Sequence, residues 1–400
     1  MKKVGLLISE LNNGGAERVV SRLSHILSND YKIFLVLFED TFITYEYKGE
    51  LINLNVKASS NIIKKFFMTF KRAFILRKIK NEFKLDIVIS FMDSPNVVNI
   101  LSKTKKCKIG ISIRNYVIRS NPNTLKTKVF NLLMKQIYNR ADIIIPVTKV
   151  IAESMINNYK IDRDKFRVIY NPYNIEQIQQ LATEEIETHY KGFIDKERTF
   201  ISVGRQMYQK GFWHLIKAFK LVHDEKQDAK LIIIGKDYQC FRVQKLIDEL
   251  KLNENVLLVG QHKNPFKFIK NSAVYVLSSL YEGFPNAMAE AMACGCPVIA
   301  ADCKSGPREI LCNDADLEAT CKIVEKADFG VLVPPMESEE NWDGSVHTVA
   351  EESLSEAMLM YLQDKALRKY YADKAIERAR DFNFEKCRKD FEDIIEEVLL

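Results

Sequence analysis

Short apolar runs, each followed by a helical pattern, constrain this chain more than any other feature. Residues 4–9, 33–38, 87–91, 109–113 and 143–147 are rich in Ile, Val and Leu with little polar alternation. Runs of this kind read as strands buried on both faces, the signature of a parallel sheet. Amphipathic stretches such as 16–28 separate most of them, so helices are expected on both faces. After a short segment, Tyr170-Asn171-Pro172-Tyr173-Asn174, the pattern restarts. Residues 199–203, 230–234, 256–259, 274–277 and 297–300 form a second set of expected strands, with 330–333 as a sixth. The expectation is an α/β chain of two doubly wound Rossmann-like domains, 1–170 and 171–383. A final helix, 384–400, is a candidate to pack back on the first. In open parallel sheets ligands bind beyond the carboxyl ends of the strands, so two such domains facing a cleft would hold their ligand there.

Charge is unevenly spread. Residues 1–170 hold 30 Lys and Arg against 14 Asp and Glu, and the remainder holds 29 against 39. A basic half points to an anionic partner: nucleic acid, lipid or a phosphorylated substrate. No recognition motif for nucleic acid accompanies the charge, so none is expected as a partner. The eight cysteines form no CxxC pair and stand among no histidines, so free thiols are expected and no zinc. Two Asp-x-Asp triplets, Asp162-Arg163-Asp164 and Asp314-Ala315-Asp316, fit a metal-binding pattern that chance also produces among 53 acids. The first precedes a run, 166–170, that reads as a strand. No metal is expected. The apolar run at the start spans about six residues and leads into a glycine turn, which reads as a strand and not a signal peptide. No stretch approaches the ~20 apolar residues needed to span a bilayer.

Three motifs stand just after expected strands. The first is Glu282-Gly283-Phe284-Pro285-Asn286-Ala287-Met288-Ala289-Glu290, between an apolar strand and an Ala-rich helix. Pro285 and Asn286 suit a helix start, whose free N–H groups and dipole make an anion site fit for a diphosphate. Glu282, in the loop, could reach a sugar hydroxyl, and Glu290, one turn inside, could accept two hydrogen bonds from a ribose. Arg205 follows the 199–203 strand and Lys210 precedes a helix. Two fixed cations can stabilise a departing nucleoside diphosphate without a metal. Gly14-Gly15-Ala16-Glu17-Arg18 follows the first strand, where glycines let the backbone approach a ligand, with close helix packing as the competing explanation.

Together these motifs resemble the retaining glycosyltransferases with two Rossmann-like domains, the GT-B group of family 4, over nearly the whole chain. The resemblance implies sugar transfer with retention from a UDP-linked donor, with no metal or other cofactor. It implies that Arg205 and Lys210 hold the diphosphate, Glu282 the donor sugar and Glu290 the ribose. Gly14 and Gly15 would face the donor phosphate and acceptor, and Gly260 would lie near the base. The first domain would bind acceptor and the second the nucleotide sugar. Many relatives carry a histidine where this chain has Ser112-Ile113-Arg114-Asn115. Arg114 or Asn115 is expected to contact donor or acceptor there, and the leaving phosphate oxygen would take the acceptor proton. The GGAER start and Asp302-Cys303-Lys304-Ser305-Gly306-Pro307-Arg308-Glu309 look like a narrower branch. That branch adds N-acetylgalactosamine or hexoses to polyprenyl-diphosphate-linked glycans for capsules, polysaccharides and N-glycan precursors. The alternatives are a sugar-nucleotide epimerase on the same fold and a catalytically silent transferase subunit.

Residues 57–84 hold nine Lys and Arg and one acid, with Ile63, Phe66, Phe67, Phe70 and Phe74 at helical spacing. Such a helix reads as binding an anionic membrane surface through Lys64, Lys65, Lys71 and Arg72. The competing reading buries the phenylalanines in the core. The expected location is cytoplasmic, peripheral on the inner face of the cell membrane.

Overall fold

The computed structural model describes residues 1–12, 14–40, 43–57, 61–115 and 125–400, with the side chains of 62 and 125–130 also set aside. The chain forms two compact units: 1–172 together with 384–400, and 173–383.

The first unit is a six-stranded, all-parallel sheet. Its strands are β1 (Lys3–Ile8), β2 (Lys32–Leu37), β3 (Glu50–Asn53), β4 (Ile87–Phe91), β5 (Lys108–Ile113) and β6 (Ile143–Pro146). They lie in the order β3-β2-β1-β4-β5-β6. Side chains alternate across the sheet. Leu6 and Ile8 of β1 enter one core with Val19, Val20 and Leu23 of helix α1 (Gly15–Leu27), while Leu7 enters the other with Ala73, Leu76 and Ile79 of α2 (Ile62–Glu82). The C-terminal helix Phe384–Leu399 belongs to this unit and drives Cys387, Phe391, Ile394 and Ile395 into the α1 face. Arg167 closes a two-pronged ion pair on Glu397 of that helix.

The second unit is seven-stranded: β7 (Thr199–Val203), β8 (Lys230–Ile234), β9 (Val256–Gly260), β10 (Val274–Leu277), β11 (Val298–Ala301), β12 (Glu325–Lys326) and β13 (Val331–Val333). The order is β12-β13-β11-β10-β7-β8-β9, parallel except for β12. These two Rossmann-like sheets give the α/β class expected from the alternation.

Three details differ from the sequence pattern. Strand β3 is half-exposed and β12 is two residues long, so neither carries an apolar signal. The 166–170 run is not a named strand; it lies along β6 through a bridge of Ile144 to Phe166, with Arg167 N–H donating to the Ile144 carbonyl at 3.0 Å and Ile169 N–H to the Pro146 carbonyl at 3.2 Å. Its burial comes from packing, with Ile169 in the α1-face core. All eight cysteines are free, and burial pushes the Cys107 thiol up to about 11. Among the described residues no helix is long and apolar enough to cross a membrane, and no His, Cys, Asp or Glu group is assembled for a metal.

Candidate active site

The motifs at 205–210 and 282–290 meet because their strands are neighbours. β10 pairs with β7, which brings the two strand ends side by side although the motifs are 72 residues apart in sequence. Lys210 then sets its Nζ 2.6 Å from Glu282 Oε1, and Ser279 Oγ donates to the same oxygen at 2.7 Å. Gln209 Nε2 donates to the Tyr281 carbonyl at 2.9 Å, and Ser278 Oγ to the Lys210 carbonyl at 2.9 Å. Gly211 takes φ +57°, and a Cβ there would stand 2.5 Å from the Ser278 carbonyl oxygen, so only glycine lets the two turns close. Glu282 is therefore not an exposed loop acid. Its side chain is 7% exposed and that of Lys210 18%. Arg205, by contrast, is exposed, and among the described residues it holds no hydrogen bond or ion pair. Of the two cations, Lys210 is thus committed to a carboxylate and Arg205 is open to solvent.

The helix Asn286–Ala293 starts at Pro285, with Asn286 its first residue and Ala287 its second. Phe284 is buried, its ring stacked on Tyr173 and edge-on to Phe382, so only its backbone can serve a ligand. Glu290 lies one turn inside and is 4% exposed. Gly260 ends β9 with φ +75° and open space where a side chain would be.

The 302–309 segment, which the sequence marked only as a branch resemblance and not as part of the site, stands behind Gly283 and Pro285. After β11 the chain turns through Ser305 (φ +67°) and Gly306 (φ +101°). Ser305 Oγ donates to the Gly283 carbonyl at 2.9 Å, and a Cβ on Gly306 would lie 2.5 Å from Pro285 Cδ. Arg308 anchors this turn. Its guanidinium donates to Asp302 at 2.6 and 3.0 Å and to Glu325 at 2.8 and 3.0 Å, and these two carboxylates raise its pKa further despite partial burial. The left-handed pair at a strand-to-helix junction was the available signal, with Asp302 six residues before Arg308 in the same segment; Glu325, 17 residues on, is the partner that a local reading does not reach.

In the first unit, Gly14 caps α1, with Gly15 the first helical residue. A Cβ on Gly14 would sit 1.9 Å from the Glu17 carboxylate, so Glu17 already supplies negative charge at this helix start. Two expectations need correction. Arg114 does not stand open to a ligand: it is buried, donates to Asn171 Oδ1 at 2.5 Å and lies over the Phe91 ring. Asn115 is exposed, with Nδ2 3.9 Å from Met92 Sδ. Arg72 is not on the outer face of α2: it is buried, donates to the Val56 carbonyl at 2.7 and 3.1 Å and stacks over Phe38. Lys64, Lys65 and Lys71 are exposed, and so are Ile63, Phe66, Phe67, Phe70 and Phe74, which removes the core reading of that stripe.

Residues 13–177 match the family described as Glycosyltransferase Family 4, and 184–340 match Glycosyl transferases group 1. An uncharacterized glycosyltransferase of Methanocaldococcus jannaschii is 37% identical over 91% of this chain and 94% of its own length. The chain belongs to glycosyltransferase family 4. A second relative of this transferase is 31% identical over 98% of both chains. It is the Campylobacter jejuni N-acetylgalactosamine-N,N'-diacetylbacillosaminyl-diphospho-undecaprenol 4-alpha-N-acetylgalactosaminyltransferase. Among solved structures, a Rickettsia africae glycosyltransferase has a TM-score of 0.76 at 19% identity over 100% of this chain and 99% of its own. Anabaena HepE in complex with UDP has a TM-score of 0.74 at 16% identity over 99% of this chain and 100% of its own. These likenesses carry the fold, that of the GT-B group. The enzyme is a glycosyltransferase, and the matches give the epimerase alternative no support.

Proposed function

We propose that this family 4 enzyme moves a hexose or N-acetylhexosamine from a UDP-sugar to a polyprenyl-diphosphate-linked glycan, with retention and without a metal, in bacterial polysaccharide, capsule or N-glycan precursor synthesis. The observation that carries the acceptor class is the 31% identity, over nearly the full length, to a transferase named for a diphospho-undecaprenol substrate. The donor class is supported by the paired Lys210 and Glu282 beside an open Arg205, and by the UDP complex of a protein with this fold.

In this reading Arg205 and Lys210 hold the diphosphate, the backbone of Gly283–Ala287 meets it at the helix start, and Glu290 takes the ribose hydroxyls. Lys210 exchanges part of its contact with Glu282 for phosphate, which frees a Glu282 oxygen for the sugar. The acceptor hydroxyl oxygen bonds to the anomeric carbon as the bond from that carbon to the phosphate oxygen breaks. The leaving phosphate oxygen takes the hydroxyl proton, so no histidine base is required. The two cations stabilise the charge that develops on the nucleoside diphosphate. The exposed phenylalanines and lysines of α2 support attachment to an anionic bilayer, with the enzyme peripheral on its cytoplasmic face.

The test is incubation with a set of labelled UDP-sugars, with and without a polyprenyl-diphosphate glycan. Slow hydrolysis of one donor alone, and faster consumption with the lipid-linked acceptor, is expected. Failure to consume any UDP-sugar under either condition overturns the reading and returns the silent-subunit alternative.

A further inference from the structure

Tyr173 follows Pro172 outside any named strand, yet it is only 1% exposed. Its N–H donates to the Phe382 carbonyl at 2.8 Å, and it bridges to Asn383. Its ring stacks on Phe284 with centroids 6.4 Å apart. Packing accounts for an aromatic ring at this position, but a phenylalanine would pack as well without a hydroxyl to desolvate. Burying a hydroxyl is unfavourable unless it finds a partner. Here it donates to Asn286 Oδ1 at 2.5 Å.

Asn286 is the first residue of the helix that the donor reading places against a diphosphate. An asparagine amide has an accepting end and a donating end. A diphosphate only accepts, so an unguided amide would present the wrong end in one of its two orientations. A phenol that donates to Oδ1 selects the orientation in which Nδ2 points away from the tyrosine.

We infer that Tyr173 is a positioning residue of the donor site: it orients Asn286 so that the Nδ2–H group is offered to the diphosphate of the nucleotide sugar. This rests on the reading of 282–290 as the donor loop. Nothing in the sequence motif marks Tyr173, because it lies 113 residues from Asn286.

The experiment compares wild type, Y173F, N286A and the double variant Y173F/N286A by UDP titration calorimetry, steady-state kinetics and thermal unfolding. Loss of one hydrogen bond predicts a rise of about 5- to 10-fold in UDP Kd and donor KM for Y173F. Its kcat at saturating donor should stay within about twofold, because uniform binding is what is lost. Its Tm should fall by no more than about 4 °C. In the N286A background, Y173F should add less than about a twofold further change, since the two act as one unit. Y173F that binds UDP like wild type overturns the inference. So does Y173F that loses stability alone, or a double variant in which the two effects multiply. Wild type that fails to bind UDP overturns the donor reading instead. If Y173F does not fold, N286A alone decides: unchanged UDP binding means that the amide Tyr173 holds does no work.

Discussion

Removing Glu282 should damage the enzyme twice, and the two effects can be separated. The carboxylate is 7% exposed and lies 2.6 Å from a Lys210 ammonium that is 18% exposed. Taking one partner from a fully buried pair costs about 3–5 kcal/mol, because the survivor stays charged and unpaired, whereas exposed pairs are worth about 0–1 kcal/mol. Lys210 keeps some access to water, so Glu282→Ala should cost about 1.5–3 kcal/mol. In a unit spanning 173–383, each kcal/mol moves Tm by about 2–4 °C, so a fall of about 3–12 °C is expected by scanning fluorimetry. Turnover should fall about 100- to 1000-fold, the usual loss when a group aimed at a charged or polar transition state is removed. Glu282→Gln keeps an oxygen for Ser279 Oγ, 2.7 Å away in the wild type, and should recover part of the Tm but little of the rate. The decisive variant is Lys210→Ala/Glu282→Ala. With both charges gone, its loss of Tm should be smaller than the sum of the two single losses, as a coupled pair requires. Additive losses of Tm would refute the argument from burial, and near-normal turnover in Glu282→Ala would refute its place in the site.

Replacing Lys64, Lys65 and Lys71 by Gln should release the protein from anionic liposomes in flotation, an effect that rising salt should mimic; unchanged flotation would remove α2 from the membrane. Arg72→Gln should leave flotation intact and lower Tm instead, by the loss of charge-assisted bonds worth about 1.5–3 kcal/mol at a buried site. Transfer should survive excess EDTA; inhibition reversed by magnesium or manganese would overturn the metal-free reading. Lys80 is buried, which lowers its pKa from 10.5 to about 8, so between those values the unfolded chain binds more protons and stability should rise with pH. Thermal melts from pH 7.5 to 9.5 should show that rise in wild type relative to Lys80→Met, and parallel curves would refute it.

The fold was legible where residues state their burial by type. KVGLLI and KIFLVL could only be strands covered on both faces, and they are β1 and β2. ELIN, half-exposed at the sheet edge, carries no such signal, and its pairing depends on a partner already in place. FRVIY misleads for the opposite reason. Its apolar residues report burial of Phe166 and Ile169, while pairing is a property of neighbours that a local run cannot specify. The candidate site divides in the same way. Glycine and proline at the 282–290 junction mark a turn and helix start by their own backbone limits. The burial of Glu282 does not follow from its neighbours in sequence; it follows from β7 lying beside β10. Arg308, Arg114 and Arg72 show the same limit. Each looks like surface charge in sequence, and each is held by an acceptor 6 to 57 residues away.

Those buried cations change what the basic first half can do. Counting charge treats Arg72, Lys80 and Arg114 as available to an anionic partner, yet each is committed to an interior acceptor. What remains on α2 is Lys64, Lys65, Lys71, Arg77 and Lys78, all exposed. At 100° per residue, Ile63, Phe66, Phe67, Phe70 and Phe74 fall in a stripe about 100° wide. Leu76 and Ile79 point away from the stripe and Ala73 borders it, and these three form the core contact. The helix is apolar on two faces, and the fold consumes only one. Full burial of a phenylalanine is worth about 1.5–3 kcal/mol, and at 48–66% exposed the four recover only about a third to a half of it within the chain. A protein partner with an apolar face could cover the stripe, but it would also have to match the surrounding lysines. An anionic bilayer offers both at once, acyl chains for the rings and headgroups for the ammonium groups, at about 1 kcal/mol for each lysine near the surface. The rings and the charges should therefore fail separately: serine at Phe66, Phe67, Phe70 and Phe74 should abolish flotation at any salt, whereas loss of the charges should be reproduced in wild type, progressively, as salt rises.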